Sequence, residues 1–368
     1  FLKLEDSLKN TDICFVTVPT PSDEKGSFKN EFILKVLDQI SDYIITDGKR
    51  NKPYIININS TVMPYSFKEV FIPFMKQKGL IDSKDFSFIY NPYFVALGEV
   101  VKGLENPDIV LIGNNSKQAL NHLMSIYTKI YDTEITYKTI SLEEAEFSKL
   151  LINSYLTLKI SFSNMVKSLV SKDNNINLNT LLDTIGSDQR IGNKFLKPGG
   201  PFSGPCLPRD TIALNYISKK INIDNEISSA SIKINLKEIN NLKSNLNKIK
   251  NRGFNSIIFA GVGYKALTPT LEESFIFELI EYSNSINLKV FYYDEYIMEK
   301  IKFATRIKKE EINKYANIIF LPYIDKKFNN LKFNGYIYDI WHQINTKNVI
   351  RNDKDLEIIS RKSNVINF

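Results

Sequence analysis

Long apolar runs are missing from this 368-residue chain. No stretch approaches the roughly 18 consecutive apolar residues of a membrane span, and the opening Phe1-Leu2-Lys3-Leu4-Glu5-Asp6 lacks the basic and hydrophobic regions of a secretory signal. The cytoplasm is therefore expected, with no membrane partner. Cysteine is scarce. Two residues, Cys14 and Cys206, cannot build a disulfide framework, which fits a reducing compartment. The only histidines, His122 and His342, make no metal-ligand spacing with those cysteines, so no metal is expected. The 48 basic and 41 acidic residues leave a net charge of +7, but without a like-charge run or an arginine strip. Nucleic acid is not implied. A phosphorylated small molecule would suit such a mild basic excess equally well.

What is present is enough for two or three domains: 43% of the residues are apolar and 24% charged. The first third alternates strand-like runs (12–18, 54–59, 86–90, 109–112) with amphipathic helices. Ile33, Val36, Leu37, Ile40 and Ile44 recur at the spacing of a crossover helix, so a parallel sheet covered on both faces is expected. From Ser141 to about Lys172 there is neither Gly nor Pro, and Ser141-Leu-Glu-Glu144 reads as a capping box, which predicts one long helix. A second helix is predicted from about Asp224 to Lys250. Between them, residues 192–208 are rich in Gly and Pro and read as loop. The strand-turn-helix-strand alternation then resumes: Ser256 to Ala260, Gly261-Val-Gly263, a helix around 276–282, and Lys289 to Tyr293 ending at Asp294.

On the long helix, Glu146, Lys149, Asn153, Thr157, Ser161 and Asn164 line one face at an average spacing of 3.6. The other faces are largely apolar, including Leu151, Tyr155, Phe162 and Met165. Such a stripe is either the solvent side of a core helix or the lining of a cleft, where Lys149 and Asn153 could aim a cation and an amide at one substrate oxygen. Cys206 lies in Pro198-Gly-Gly-Pro-Phe-Ser-Gly-Pro-Cys-Leu-Pro-Arg-Asp210. It is either an inert loop cysteine or a thiolate nucleophile favoured by a nearby cation. Cys14, in an apolar strand, reads as structural. Gly261-Val-Gly263 is half of a dinucleotide fingerprint without its third Gly, and Asp294 stands further on than the usual ribose-binding acid, so NAD is not assigned there.

Taken together these segments resemble the UDP-glucose/GDP-mannose dehydrogenase family, in order from residue 12 to about 345. The resemblance is carried by Val18-Pro-Thr-Pro21, Asn59-Ser-Thr-Val62, Asn91-Pro-Tyr-Phe94 with Gly98, Asn106-Pro107, Glu146-x-x-Lys149-x-x-x-Asn153, Asp188-Gln-Arg-Ile-Gly192, Ser203-Gly-Pro-Cys-Leu-Pro-Arg-Asp210, and Gly263-Tyr-Lys265 with Glu273-Ser274. The resemblance implies two Rossmann-like α/β domains joined by a helical domain around one long central helix. It divides the chain into 1–140 for the NAD-binding domain, 141–250 for the helical and dimerisation domain with the cysteine loop, and 251–368 for the nucleotide-sugar-binding domain. It also implies NAD-dependent oxidation at C6 of a nucleotide-linked hexose, most simply UDP-glucose, to the uronate that serves capsule or envelope polysaccharide. The alternatives are GDP-mannose, a UDP-N-acetylhexosamine, or a non-catalytic nucleotide-sugar-binding relative. Among the residues, the family implies Cys206 as nucleophile, Lys149 and Asn153 as oxyanion stabilisers, Asp210 for proton transfer or water positioning, and Thr61 to orient water. Arg190, Phe195, Leu196, Lys197, Gly200, Ser203 and Lys265 would contact substrate, with Arg190 reaching across a homodimer interface. Val18, Pro19, Thr20 and Thr61 would contact NAD.

The sequence departs from the family in three places. Nothing ahead of Asp12 forms the strand, Gly-rich turn and helix that cradle the NAD pyrophosphate. Roughly sixty residues of an ordinary member, the unit and its extension, are expected to be missing from the sequence given, either lying upstream of it or lost in a truncated gene product, and by itself this sequence should bind NAD poorly. Tyr93 and Leu97 replace two acids around Pro92 and Gly98, leaving a water held by Thr61 as the substitute base. Thr270 and Glu272 replace an Asp and an Arg ahead of Glu273-Ser274.

Overall fold

The computed structural model describes residues 4–47, 51–131, 135–171, 173, 175–325, 328, 332–344, 348–351 and 355–356. The opening tripeptide, Lys172 at the expected end of the long helix, and 357–368 at the end of the expected third domain lie outside the described residues. The chain forms two compact units, 1–153 with 209–225 and 154–208 with 226–368.

The first unit starts with α1 (Leu4–Lys9), β1 (Ile13–Val16), α2 (Glu31–Asp47) and β2 (Tyr54–Ile58). A π-helical turn (Phe67–Phe71) then runs into α3 (Ile72–Gln77), followed by β3 (Phe86–Tyr90), α4 (Val100–Glu105), β4 (Val110–Asn114), α5 (Lys117–Ile130) and β5 (Tyr137–Ile140). The strands lie in the order β1-β2-β3-β4-β5. Ile33, Leu37 and Ile40 of α2 are fully buried against Tyr54, Ile56 and Ile58, so the predicted crossover holds its place by the apolar face that marked it. The expected all-parallel sheet has one exception: β3 and β4 pair antiparallel. The only helix between them, α4, has six residues and none buried, so no crossover packs across the sheet there and the chain returns alongside its own strand.

The long helix is α6 (Leu142–Val170). Its capping box is formed: the Ser141 amide donates to Glu144 Oε2 (2.8 Å) and the Glu144 amide to Ser141 Oγ (3.2 Å). The boundary between the two units cuts this helix after Asn153. Then come α7 (Leu178–Gly186), α8 (Leu207–Lys220) and α9 (Glu226–Asn251). Residues 207 and 208, read as loop, are already helical. A proline in the first turn loses no intrahelical hydrogen bond, so Pro208 begins α8 instead of blocking it.

The rest of the second unit is doubly wound: β6 (Ser256–Ala260), α10 (Phe275–Ser285), β7 (Lys289–Tyr293), β8 (Thr305–Arg306), α11 (Ile312–Tyr315), β9 (Ile318–Leu321), β10 (Tyr336–Asp339) and β11 (Val349–Ile350). All its described pairings are parallel, in the order β11-β10-β9-β6-β7-β8, with the topological switch between β6 and β9. Among the described residues no helix is long and apolar enough to cross a membrane, and no three His, Cys, Asp or Glu are grouped to hold a metal.

Candidate functional site

The polar stripe of α6 is the buried face of the helix. Glu146, Lys149, Asn153, Thr157, Ser161 and Asn164 are each at most 8% exposed, while Tyr155 is 59% and Leu169 72% exposed. The reading as a solvent-facing stripe therefore fails, and the polar side must find its partners inside the protein.

In the first unit those partners form a connected ring. Glu146 accepts the amides of Tyr65 (2.7 Å) and Phe67 (3.0 Å), where the π-helical turn begins. Burial outweighs these donors and pushes its carboxyl up to about 8. One turn on, Lys149 Nζ donates to the Tyr93 carbonyl (2.8 Å) and stands 4.5 Å from the Phe94 ring. Asn153 Nδ2 donates to Asp210 Oδ2 (2.6 Å) at the start of α8. Burial raises the Asp210 carboxyl, opposed by Lys149, Arg209 and the Asn153 amide. Arg209 lies 4.0 Å from the Phe28 ring and donates to Thr20 Oγ1 (3.3 Å), which donates to the Thr61 carbonyl (2.7 Å). Thr61 leads back to the segment that Glu146 holds.

The motifs at the strand ends interlock as well. Ser60 Oγ accepts the Val18 amide (2.8 Å) and donates to the Val18 carbonyl (2.6 Å), tying the ends of β1 and β2. Asn59 donates to the Asn91 carbonyl (2.7 Å), and Asn91 to the Leu111 carbonyl (2.8 Å). Val18, Thr20, Thr61, Lys149, Asn153 and Asp210 thus belong to one region. Pro19 is exposed beside them. The parts taken by Phe28 and the Tyr93 carbonyl were not foreseen, and Arg209 was expected only as a cation near Cys206, not over the Phe28 ring. Phe28 had no signal in sequence, and the replacement at Tyr93 hid the use of its backbone. Glu99, the acid after Gly98, faces solvent and pairs with Lys102 (3.5 Å).

In the second unit, Cys206 is an exposed thiol directly ahead of α8. It lies near Tyr264, whose hydroxyl is raised by burial and by that thiol. Gly204, at φ +84°, leaves room for the Tyr264 ring; a Cβ there would fall 2.3 Å from it. Leu196 is buried with Val166, Leu178 and Leu182, so it anchors its loop, while Phe195 and Lys197 on either side are exposed. Ser203 Oγ reaches the Tyr264 carbonyl at 3.5 Å, and Lys265 is half-buried. Gly200 is buried. Arg190 is exposed and paired with Asp188 (2.6 Å). Ser274 caps α10 and donates to the Val262 carbonyl (2.9 Å), which accounts for the Glu273-Ser274 signature locally.

The glycine turn after β6 is closed to a dinucleotide. A Cβ at Gly261 would lie 1.9 Å from Tyr323 Oη, and Asp294 spends its carboxylate on the amides of Val262 (2.9 Å), Tyr296 (2.8 Å) and Ile297 (3.0 Å). The space left is about 40 Å³.

Comparison with known proteins covers most of the chain. The UDP-glucose/GDP-mannose dehydrogenase family, NAD binding domain, matches residues 2–131, and the central domain of the same family matches 143–237. A UDP-glucose 6-dehydrogenase of Rickettsia felis is 30% identical over 361 residues, covering 95% of this chain and 78% of the relative. That of Rickettsia bellii is 33% identical over 278 residues, covering 75% of this chain and 61% of the relative. The solved structure of a UDP-glucose dehydrogenase from Pyrobaculum islandicum shares the fold with a TM-score of 0.84 at 21% identity, covering 94% of this chain and 80% of that one.

Proposed function

The chain belongs to the UDP-glucose/GDP-mannose dehydrogenase family, and on that footing we propose that it oxidises the C6 alcohol of a nucleotide-linked hexose to the uronate, with UDP-glucose as the substrate. The observation that carries the proposal is the buried Lys149, Asn153 and Asp210 cluster of the first unit, together with an exposed cysteine immediately ahead of the helix that bears Asp210.

NAD is the cofactor, and the strand ends of the first unit fit it. Val18, Pro19, Thr20 and Thr61 follow the carboxyl ends of two parallel strands, where α/β sheets take their ligands. When bound, NAD supplies the hydride acceptor. The chain's own residues do the rest. The Cys206 thiolate adds to the aldehyde left by the first oxidation, and Lys149 and Asn153 stabilise the oxygen that gains negative charge. Loss of a second hydride from that thiohemiacetal gives a thioester, which water hydrolyses. Asp210 moves the proton, and Thr61 orients the water in place of the acids replaced by Tyr93 and Leu97. Phe195, Leu196, Lys197, Gly200, Ser203 and Lys265 serve the nucleotide end, and Arg190 serves a neighbouring subunit's substrate. The outward apolar side of α6, with Leu151, Tyr155, Phe162 and Met165, fits a homodimer.

The test is to mix the complete protein, with any residues that precede Phe1, with NAD+ and a panel of nucleotide sugars and follow reduced nicotinamide. Two NADH per UDP-glucose, lost in Cys206→Ser, supports the reading. Preference for a GDP-hexose would move the substrate. Binding without turnover would make the chain a non-catalytic relative.

A further inference from the structure

The loop at 198–204 has no regular structure yet is almost wholly buried, and side chains of two helices hold its backbone. From α6, the Asn164 amide takes the Gly199 N–H on Oδ1 (3.1 Å) and donates Nδ2 to the Gly200 carbonyl (3.0 Å). From α9, Asn235 does the same to a single residue, accepting the Phe202 N–H (2.7 Å) and donating to its carbonyl (3.0 Å). Lys167 adds a hydrogen bond to the Gly199 carbonyl (2.8 Å), and the Gly204 amide is held by the Glu273 carbonyl (3.0 Å). The indole of Trp341 lies against both glycines: a Cβ would fall 2.0 Å from it at Gly199 and 3.3 Å at Gly200.

A primary amide can accept an N–H on its oxygen and donate to a C=O from its nitrogen at the same time, holding both through two separate atoms fixed in one plane. Two such groups, used on neighbouring residues of one loop, remove the freedom a Gly- and Pro-rich segment would otherwise lose on binding. We propose that Asn164 and Asn235 are positioning residues that pre-set the 198–204 backbone for the nucleotide portion of the substrate. This rests on the assignment of that loop to nucleotide-sugar binding.

Trp341 is the only tryptophan in the chain, so its emission reports on this loop without any turnover. The experiment is a fluorescence titration of the full chain with UDP-glucose and with UDP, without NAD+, checked by calorimetry. It compares the wild type with Asn164→Asp and, as a second variant, Asn235→Asp. Each carboxylate keeps the shape but loses the donor and faces a carbonyl. The expected result is a weakening of at least about ten-fold in each variant, with native tryptophan emission retained before ligand is added. Affinity should return as the pH falls through the carboxyl range, because a protonated acid can donate again. Wild-type affinity in both variants overturns the inference while leaving the function intact. Weakening that comes only with loss of native emission, without recovery at low pH, also overturns it. A wild type that binds neither ligand overturns the functional reading itself, and this inference with it.

Discussion

The carboxyl ends of β1 and β2 in one unit and of β6 and β7 in the other are built on the same plan, a parallel pair followed by a turn, yet they differ in what their polar groups do. At β1 and β2 the turn is tied by hydroxyls: Ser60 to Val18, and Thr20 to Thr61. At β6 and β7 one carboxylate, Asp294, is consumed by three backbone amides, and the Tyr323 phenol stands over the glycine. Burial and Asp294 both raise that phenol, keeping it neutral. Hydroxyl ties can exchange partners for a ligand at small cost. A saturated buried carboxylate cannot, because each amide it releases must be satisfied elsewhere. Fold alone therefore does not say which sheet of a doubly wound protein takes a dinucleotide. The state of its turn does.

That contrast can be broken experimentally. The largest effect expected is on the open side: Lys149→Ala should lower kcat by about 100 to 1,000-fold in a steady-state assay of NADH formation, with the protein still folded. On the closed side, Asp294→Ala should cost roughly 2–4 kcal/mol of stability, read as a lower denaturant midpoint, without creating NAD affinity. A gain of NAD binding there would show that the turn was merely occluded.

The pH dependence separates the units further. Glu146 keeps its proton in the folded chain up to about pH 8, whereas the unfolded chain releases it near the ordinary Glu value of about 4.3. Its contribution to stability is whole below that lower value and is lost as pH rises through about 8. Thermal melts from about pH 5 to about pH 8 should fall, and Glu146→Gln should flatten that fall. Thr20→Val removes the donor to Thr61 and the acceptor for Arg209. It should weaken NAD by only about five-fold in a binding titration, the smallest effect of the set.

The elements with strong local signals were legible. The capping box, the Gly-free run of α6, and the strands Phe86–Tyr90 and Lys289–Tyr293 all stand where spacing put them. The antiparallel β3–β4 pair was not, because its cause is a helix too short to cross the sheet, and the start of α8 was hidden by Pro208. Spacing placed the six polar residues of α6 on one face but could not say whether that face was inward; burial is a tertiary property, and the apolar residues opposite argued the other way. Arg209 was visible as a cation near Cys206, whereas its place over Phe28 depends on a contact nearly two hundred residues distant in sequence.

The inverted amphipathicity of α6 has a consequence for how the protein withstands heat. A helix that turns hydroxyls, amides and charge inward and leaves Leu169 and Tyr155 in water gains little from its own outer side. If copies of the chain cover one another there, thermal resistance becomes a function of dose, climbing with each dilution step undone, by mass action and without any change in the fold.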